Sequence, residues 1–469
     1  MLGKLNIAVI QDLSHDHLIA FFKQHENEQW ACLLDSCQQT SMGGRFDIMA
    51  YAPSLTYQFT QGTHKLSGPC VASFSTNICE TTKNPFEVLS NLHAQFAQLI
   101  DITDITHIPS DIPFLVGALA AFSYDTNISS DNILDGKPNQ YEMDDINVGF
   151  YTSSVIYDNQ SGLTYICSIY PDVITSIQNT LKCIDIASIS ATAFSLTSKW
   201  QSNVTEQEYS QNLSKIHDYL HAGDCYQVNY AQRFNANYQG SEFSAYETLR
   251  EVNKAPFSAF FRLPNSCILS LSPERLLQLK DQHVETKPIK GTRKRSIDPI
   301  EDKRLANELL SSEKDKAENL MIVDLLRNDI SKHCMPHSVK VPKLFALESY
   351  PAVHHMVSTV IGTLKPSSSP YDLLEGAFPG GSITGAPKVR AMQIIQELEP
   401  DKRAIYCGSV GYIGIRYDMD TNICIRTLLA EKNTLYCWGG GGIVIDSQAA
   451  DEYQESLHKL AKILPILNS

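Results

Sequence analysis

The sequence predicts an α+β fold built on antiparallel sheet, on three observations. Ala404–Gly414, Thr421–Ala430 and Thr434–Trp438 are apolar runs joined by short turns, the spacing of an antiparallel meander. Cys267–Leu271 and Arg275–Leu279 are two more such runs, set around a Ser272-Pro-Glu274 break. Helical stretches fall between groups of strands instead of alternating with them one for one, which argues against a doubly wound parallel sheet.

Taken in chain order, residues 1–187 read as one unit of mixed character, with Val148–Tyr151 and Leu163–Ile169 as strands. Ser188–Thr205 is rich in Ser, Thr and Ala and reads as a linker. Residues 206–465 form the second unit. Glu206–Ala222 is a helix closed by Gly223, whose freedom at positive φ suits a helix end. Tyr226–Phe234 is a strand. Asp298–Arg327 is helical, with Ser311-Ser312 as an internal cap. Pro387–Leu398 is a helix with Pro in its first turn and Pro400 beyond its end. Asp451–Leu464 is the last helix.

A chain of 469 residues suggests more than one domain, and 43% hydrophobic with 19% charged residues is a globular composition. A net charge of −14 argues against general nucleic-acid binding. The longest apolar run, Phe114–Phe122, is core length and too short for a bilayer, so no membrane partner is expected. The first residues lack a signal-peptide cleavage pattern, and none of the twelve cysteines forms a Cys-x-x-Cys pair. Free thiols in a reducing cytoplasm are expected.

Chemistry concentrates in the second unit. Thr286–Arg295 places five cations in ten residues, with Lys290 at the centre. Crowding by Lys287, Arg293, Lys294 and Arg295 should depress the pKa of Lys290 and make it a nucleophile; a solvated basic loop is the plainer alternative. Glu318 and Glu455 sit on separate helices and could share a hard divalent cation such as Mg2+. Glu455 and Lys459, four apart, equally read as a surface ion pair. Gly380–Arg390 and Gly439–Gly442 are glycine-rich segments that allow a ligand close to the main chain, or that simply turn. Arg426 interrupts an apolar strand and needs an anion, internal or bound. Glu274 and His355, taken singly, are as well explained structurally.

In order along the chain, Leu271-Ser-Pro-Glu-Arg275, Lys287-Pro-Ile-Lys-Gly-Thr292, Ala317–Asp329, Phe378–Met392 and Asp451-Glu-x-x-Glu455 resemble the chorismate-utilising enzymes. The likeness spans about Glu206 to Leu464 and is weaker toward the N-terminus. It implies a sandwich of large antiparallel sheets with helices outside. It also implies roles. Mg2+ is held by Glu318 and Glu455; Glu274 is general acid/base and Lys290 the nucleophile. The substrate, chorismate, is held by Gly291, Thr292, His355, Ser382, Tyr406, Arg426, Gly440, Gly441, Gly442 and Lys459. Lysine at 290 resembles the branch that puts nitrogen on ring carbon 4, where anthranilate-forming relatives carry alanine. Gln227 stands where isochorismate-forming relatives carry a water-activating lysine.

The expected activity is therefore amino transfer to chorismate, giving 4-amino-4-deoxychorismate for 4-aminobenzoate and folate synthesis. The alternatives are an anthranilate-forming subunit or a non-catalytic tryptophan-binding one. No cysteine sits in a glutaminase elbow, so a separate glutamine amidotransferase subunit is the expected ammonia source. Leu33-Leu-Asp-Ser36, with Arg45-Phe46 and Pro256-Phe-Ser258, resembles the family's tryptophan pocket, which reads Leu-Leu-Glu-Ser where it is regulatory. A structural L-tryptophan against Ser36, Arg45, Phe46, Pro256, Phe257 and Ser258 is left open.

Overall fold

The computed structural model describes residues 3–39, 43–105, 108–127, 133, 137–186, 193–350 and 353–468. The expected linker falls partly on 188–192, outside the described residues. Two large sheets carry almost all the strands. The first orders Phe194–Leu196, Gln227–Gly240, Thr434–Ile443, Thr427–Glu431, Cys267–Ser272, Phe257–Arg262, Cys32–Asp35, Phe46–Ala50, Ser153–Asp158, Thr164–Ser168 and Asn6–Ile10. The second orders Ile289–Lys294, Val353–Thr363, His283–Thr286, Arg275–Lys280, Met419–Asn422, Ser409–Gly414, Gly117–Phe122, Ile146–Tyr151, Leu55–Thr60 and Thr63–Ser67. Neighbours within both pair antiparallel. A parallel bridge joins Gly3–Lys4 to Ile100–Asp101.

Strands from both ends of the chain lie side by side. Phe257–Arg262 pairs with Cys32–Asp35, and Ser409–Gly414 with Gly117–Phe122. One apolar core joins the sheets, with Ile48, Phe261, Ile268 and Trp438 from the first against Tyr57, Leu119, Val148 and Ile413 from the second. This is the expected sandwich. Each fully buried Leu or Phe contributes about 1.5–3 kcal/mol, so truncating Leu119, fully buried, to Ala costs about 2–5 kcal/mol.

Helices cover the outside. Glu206–Ala222 begins at a Thr205–Glu208 capping box and ends at Gly223 with φ 78°. Its Tyr209, Leu213 and Ile216 pack with Ile394 and Ile395 of Lys388–Leu398 on Val228, Tyr230 and Ile443. Because strand side chains alternate, Gln227, Asn229 and Ala231 point the other way, between the sheets. The Asp298–Arg327 stretch is two helices, Pro299–Ser311 and Glu313–Ser331, and Ser312 Oγ accepts from the Asp315 N–H that opens the second.

Four local expectations are corrected. Thr421–Ala430 is not one strand: Met419–Asn422 belongs to the second sheet and Thr427–Glu431 to the first, so the chain crosses between them at 423–426. Ala404–Gly414 is strand only from Ser409, because Ala404 and Cys407 take positive φ in a turn. Thr434–Trp438 runs on through all four glycines to Ile443. The final helix closes at His458 and a short one follows at Leu464–Leu467.

Candidate active site

Two chain crossings between the sheets build the centre. Cys267–Ser272 leaves the first sheet and Arg275–Lys280 enters the second, with Glu274 at the step. Met419–Asn422 returns to Thr427–Glu431 with Arg426 at the step, at φ 52°. The crossings are laced together: Ile423 N–H donates to Glu274 O at 3.0 Å, Leu271 N–H to Arg426 O at 3.0 Å and Ser272 Oγ to Ile423 O at 2.6 Å. A carboxyl and a guanidinium are thereby fixed on neighbouring backbone.

Glu274 is 9% exposed. Burial lifts its carboxyl to about 7, with Lys290, Ser382, the Ile289 backbone and Arg426 pulling the other way. Arg426 is half-buried, and no carboxylate of the described residues pairs with it within 4.0 Å. Burial lowers its pKa and Glu274 opposes this. A buried guanidinium lacking an internal counter-ion is poised for a carboxylate ligand.

Lys290 lies in Ile289–Lys294, which slips register against Val353–Thr363 between Ile289 and Thr292. Gly291 makes the slip, with φ 79° and no room for a side chain: a β-carbon there would stand 2.8 Å from Leu309 Cδ1 and 2.9 Å from Asp315 Cγ. Lys290 Nζ donates to Ser382 O at 3.4 Å. Its pKa is lowered, as expected, but the cause differs. Burial leads, Glu274, Glu318 and Glu455 oppose it, and the cation that adds to it is Lys459. The neighbouring cations are spent elsewhere. Lys287 lies 3.6 Å from Glu285, Arg293 pairs with Glu308 and Asp315, Arg295 pairs with Asp302, and Lys294 is exposed.

An acidic group faces this amine. Glu318 is pushed up by burial, with Lys290 and Lys314 opposing and Asp315 and Glu455 adding to the rise. Glu452 is likewise pushed up by burial and by Glu455, while Ser447 Oγ donates to its Oε1 at 2.6 Å. At Glu455 burial also pushes up, but Lys459 at 2.7 Å outweighs it and the pKa falls. A β-carbon on Gly441 would lie 3.2 Å from Glu452 Oε2, 3.3 Å from Glu455 Oε1 and 3.3 Å from Lys459 Nζ, so these three meet over that glycine. Glu455 adds to the rise at both Glu318 and Glu452, and carboxylates grouped this way, offering only oxygen, fit a hard divalent cation. The tight three-ligand cluster among the described residues is elsewhere, at buried His15, Asp35 and Asp47. Its groups are already paired, His15 with Asp47 at 3.1 Å and Asp35 with Arg250 at 2.6 Å.

The other expected residues stand around this centre. Ser382 is 7% exposed, and its hydroxyl lies beside Glu274 without a partner in strict hydrogen-bond geometry. His355 Nδ1 is 2.8 Å from Thr292 Oγ1; burial and Arg426 lower its pKa, keeping the ring neutral. Tyr406 is buried and stacked on Trp438, with centroids 5.9 Å apart. Gly440, Gly441 and Gly442 pair with Ala231, Tyr230 and Asn229 on one side. The strand on the other side pairs only as far as Cys437, so half the glycine amides face an open edge. Lys459 also donates to Gly440 O at 2.9 Å.

A separate cavity of about 410 Å3 lies toward the N-terminal strands and is lined by Ser36, Arg45, Phe46, Pro256, Phe257 and Ser258 among others. Asp35 forms its inner wall, held by Arg250 and Tyr246, and Arg45 is tied to Asp158 and Asp111.

Sequence reasoning passed over two contributors. Glu452 was visible as the first Glu of Asp451-Glu-x-x-Glu455, on the face it shares with Glu455. Arg403, 1% exposed, pairs with Glu399 at 2.7 Å and donates to Asn229 O at 2.7 Å and Ile383 O at 3.1 Å, beneath Tyr406. Its signal was the i, i+4 Glu–Arg spacing, which spans Pro400 and so looked like loop.

The family profile described as chorismate binding enzyme matches residues 52–465. Aminodeoxychorismate synthase component 1 of Salmonella typhimurium is 43% identical over 450 residues, covering 95% of this chain and 94% of that protein. Anthranilate synthase component 1 of Aquifex aeolicus is 33% identical over 463 residues, covering 95% and 91%. Among solved structures, anthranilate synthase component I from Streptococcus pneumoniae superposes with a TM-score of 0.76 at 29% identity, over 89% of this chain and 92% of that one.

Proposed function

The chain belongs to the chorismate binding enzyme family, and within it we propose that the protein converts chorismate and ammonia to 4-amino-4-deoxychorismate and water. The observation that carries this is Lys290, an amine depressed by burial, facing Glu274, a carboxyl lifted to about 7. Burial thus shifts both groups toward their neutral forms, one as nucleophile and one as acid. The 43% identity to an aminodeoxychorismate synthase component 1 supports the same reading.

Hydroxide is a poor leaving group, so loss of the 4-hydroxyl needs a proton donor, which Glu274 supplies. Lys290 Nζ forms a bond to ring carbon 2, the ring double bonds shift, the bond from carbon 4 to oxygen breaks, and water leaves. Ammonia then bonds to carbon 4, the double bonds shift back, and the electron pair of the carbon 2–Nζ bond returns to Lys290. One hard substitution becomes two easier ones through a covalent intermediate. Arg426 grips a substrate carboxylate, the open glycine edge and the Thr292–His355 pair line the rest of the pocket, and Arg403 holds the Ser382 turn in place. Glu318 and Glu455, with Glu452 behind, would hold Mg2+, which when bound neutralises the carboxylate on the ring.

Ammonia is supplied by a separate glutamine amidotransferase; the word component in the relatives' names accords with a partner. No helix among the described residues is long and apolar enough to cross a membrane, and the twelve cysteines are unbridged, which supports a cytoplasmic setting. The cavity at Ser36 and Phe257 suits one L-tryptophan.

The test is direct. Purified protein with chorismate, Mg2+ and ammonium yields aminodeoxychorismate; fluorescent anthranilate as the main product refutes the reading. Without ammonia, denaturing mass spectrometry finds a chorismate-derived adduct, and peptide mapping places it on Lys290. An adduct on any other residue overturns that role.

A further inference from the structure

One wall of the reaction centre is a strained turn held from the other half of the chain. Residues 402–408 carry Tyr406 and Cys407 between the Ser382 turn and the Arg426 crossing. Arg403 donates to Ile383 O at 3.1 Å, Cys407 N–H to Cys424 O at 2.9 Å and Cys424 N–H to Gly408 O at 2.9 Å. Burial pushes the Cys407 thiol up; Arg403 and Tyr406 oppose the rise, while Glu399 and Glu274 add to it. Ala404 at φ 48° and Cys407 at φ 62° stand in the left-handed region that residues with a side chain rarely adopt. Such a conformation persists only where the surroundings over-determine it.

The bonds that determine Ala404 come from the N-terminal region. Strand Gly117–Phe122 runs through Ser123 into the short turn Tyr124–Asn127. Asp125 Oδ2 accepts the Ala404 N–H at 2.9 Å. Ala404 O accepts from the Tyr124 N–H at 2.8 Å and from Ser123 Oγ at 2.9 Å. Both backbone polar groups of the strained residue are therefore bound by three consecutive residues. Two more contacts fix the turn beside it. Tyr141 Oη donates to Lys402 O at 3.2 Å, and the Arg403 guanidinium lies 4.6 Å over the Tyr124 ring. Ser123, Tyr124, Asp125 and Tyr141 are all buried. Burial lifts the Asp125 carboxyl to about 7, with Lys402, the Ala404 N–H and Lys137 opposing and Asp145 adding to the rise.

We propose that Asp125 and Ser123 are positioning residues of the active site: they clamp Ala404 in its left-handed conformation and so set the turn that presents Tyr406 and Cys407 to the substrate. The proposal rests on the amino-transfer reading, in which chorismate lies between this turn, the Ser382 turn and the Arg426 crossing. Without the clamp the turn relaxes toward ordinary φ, and only a fraction of molecules is ready to bind. Apparent chorismate affinity falls by that fraction, while saturating chorismate selects the competent turn again. Loss of the clamp therefore moves KM more than kcat.

The test varies chorismate at saturating ammonium and Mg2+. Asp125→Ala raises the KM for chorismate about 2- to 13-fold, the factor for one hydrogen bond, and changes kcat per folded molecule less. Asp125→Asn keeps the acceptor and stays near the parent KM. Glycine takes the left-handed region freely, so in an Ala404→Gly background Asp125→Ala raises KM less than it does in the parent. Ser123→Ala removes one of the two bonds to Ala404 O, raises KM in the same direction, and decides the matter by itself where Asp125→Ala does not fold. An unchanged KM with a lower Tm makes these bonds merely structural and overturns the clamp. Equal rises in Asp125→Ala and Asp125→Asn, or in the two backgrounds, overturn it as well. A parent enzyme that makes no amino product from chorismate and ammonium overturns the amino-transfer reading instead, and the clamp is then decided by chorismate affinity in calorimetry.

Discussion

Glu274→Gln separates stability from activity at one atom. In the folded protein the Glu274 carboxyl stands at about 7, against an ordinary 4.5, because burial penalises its charge. A raised carboxyl binds its proton more tightly in the folded than in the unfolded chain. That preference stabilises the fold fully below about pH 4.5 and is lost as pH rises through about 7. The displacement, at about 1.36 kcal/mol per pKa unit, is about 3 kcal/mol. Gln cannot ionise and escapes the loss. Relative to the parent, Glu274→Gln therefore gains about 3 kcal/mol between pH 4.5 and pH 8, or about 3 °C in Tm for a chain this long. The same change removes the proton donor and lowers turnover about 10²- to 10⁴-fold. Thermal melts at both pH values and a single-turnover adduct assay read the two effects separately. A stability difference that is the same at pH 4.5 and pH 8 refutes burial as the cause, and undiminished turnover refutes the acid role.

Glu318→Gln, in a group of carboxylates that oppose one another, weakens Mg2+ binding measured by calorimetry without substrate and removes Mg2+-dependent turnover; unchanged binding places the cation elsewhere. Arg403→Leu leaves Glu399 buried and unpaired and costs about 3–5 kcal/mol, read as a lower denaturant midpoint at constant slope. Arg403→Lys recovers little of it, because a lysine cannot reproduce the fork to Glu399, Ile383 O and Asn229 O. L-Tryptophan at about 100 times its Kd stabilises the protein by about 2.7 kcal/mol, and Ser36→Leu, which fills part of the cavity, abolishes the shift while leaving turnover intact.

The sandwich was legible because its information is local. The short apolar run at Val148–Tyr151, the capping box at Thr205 and the Ser312 cap each declare an element within a few residues. Sheet membership is not local. Nothing in Thr421–Ala430 announces that its two halves belong to different sheets, and Arg426 read as an interruption of one strand when it marks the passage between two. The glycines 439–442 looked like a turn because glycine is poor in strands; here they are strand because Gln227, Ala231 and the helix bearing Glu455 approach too closely for side chains. The chemical candidates were legible as a set through ordered motifs, but Arg403 was not, since an ion pair beneath the floor of a site carries no more sequence signature than one on the surface.

Lys290 shows how a correct direction can have the wrong cause, and why the cause matters. Crowding by cations would have made its pKa sensitive to salt, since exposed charges are screened over about 10 Å at 0.1 M. Its neighbouring arginines instead face outward into pairs with Glu308, Asp315 and Asp302. Burial sets the shift, and burial acts on Glu274 in the same chamber with the opposite sign. An ion pair between the two would oppose both shifts, as their mutual attraction does, but desolvation of two charges outweighs it here. One buried setting therefore shifts both an acid and an amine toward their neutral forms. It follows that charge-reversing substitutions at Arg293 or Arg295 leave the pH profile of adduct formation in place, whereas opening the site to water at Ser382, which touches both groups, moves both limbs, the acid limb down and the amine limb up.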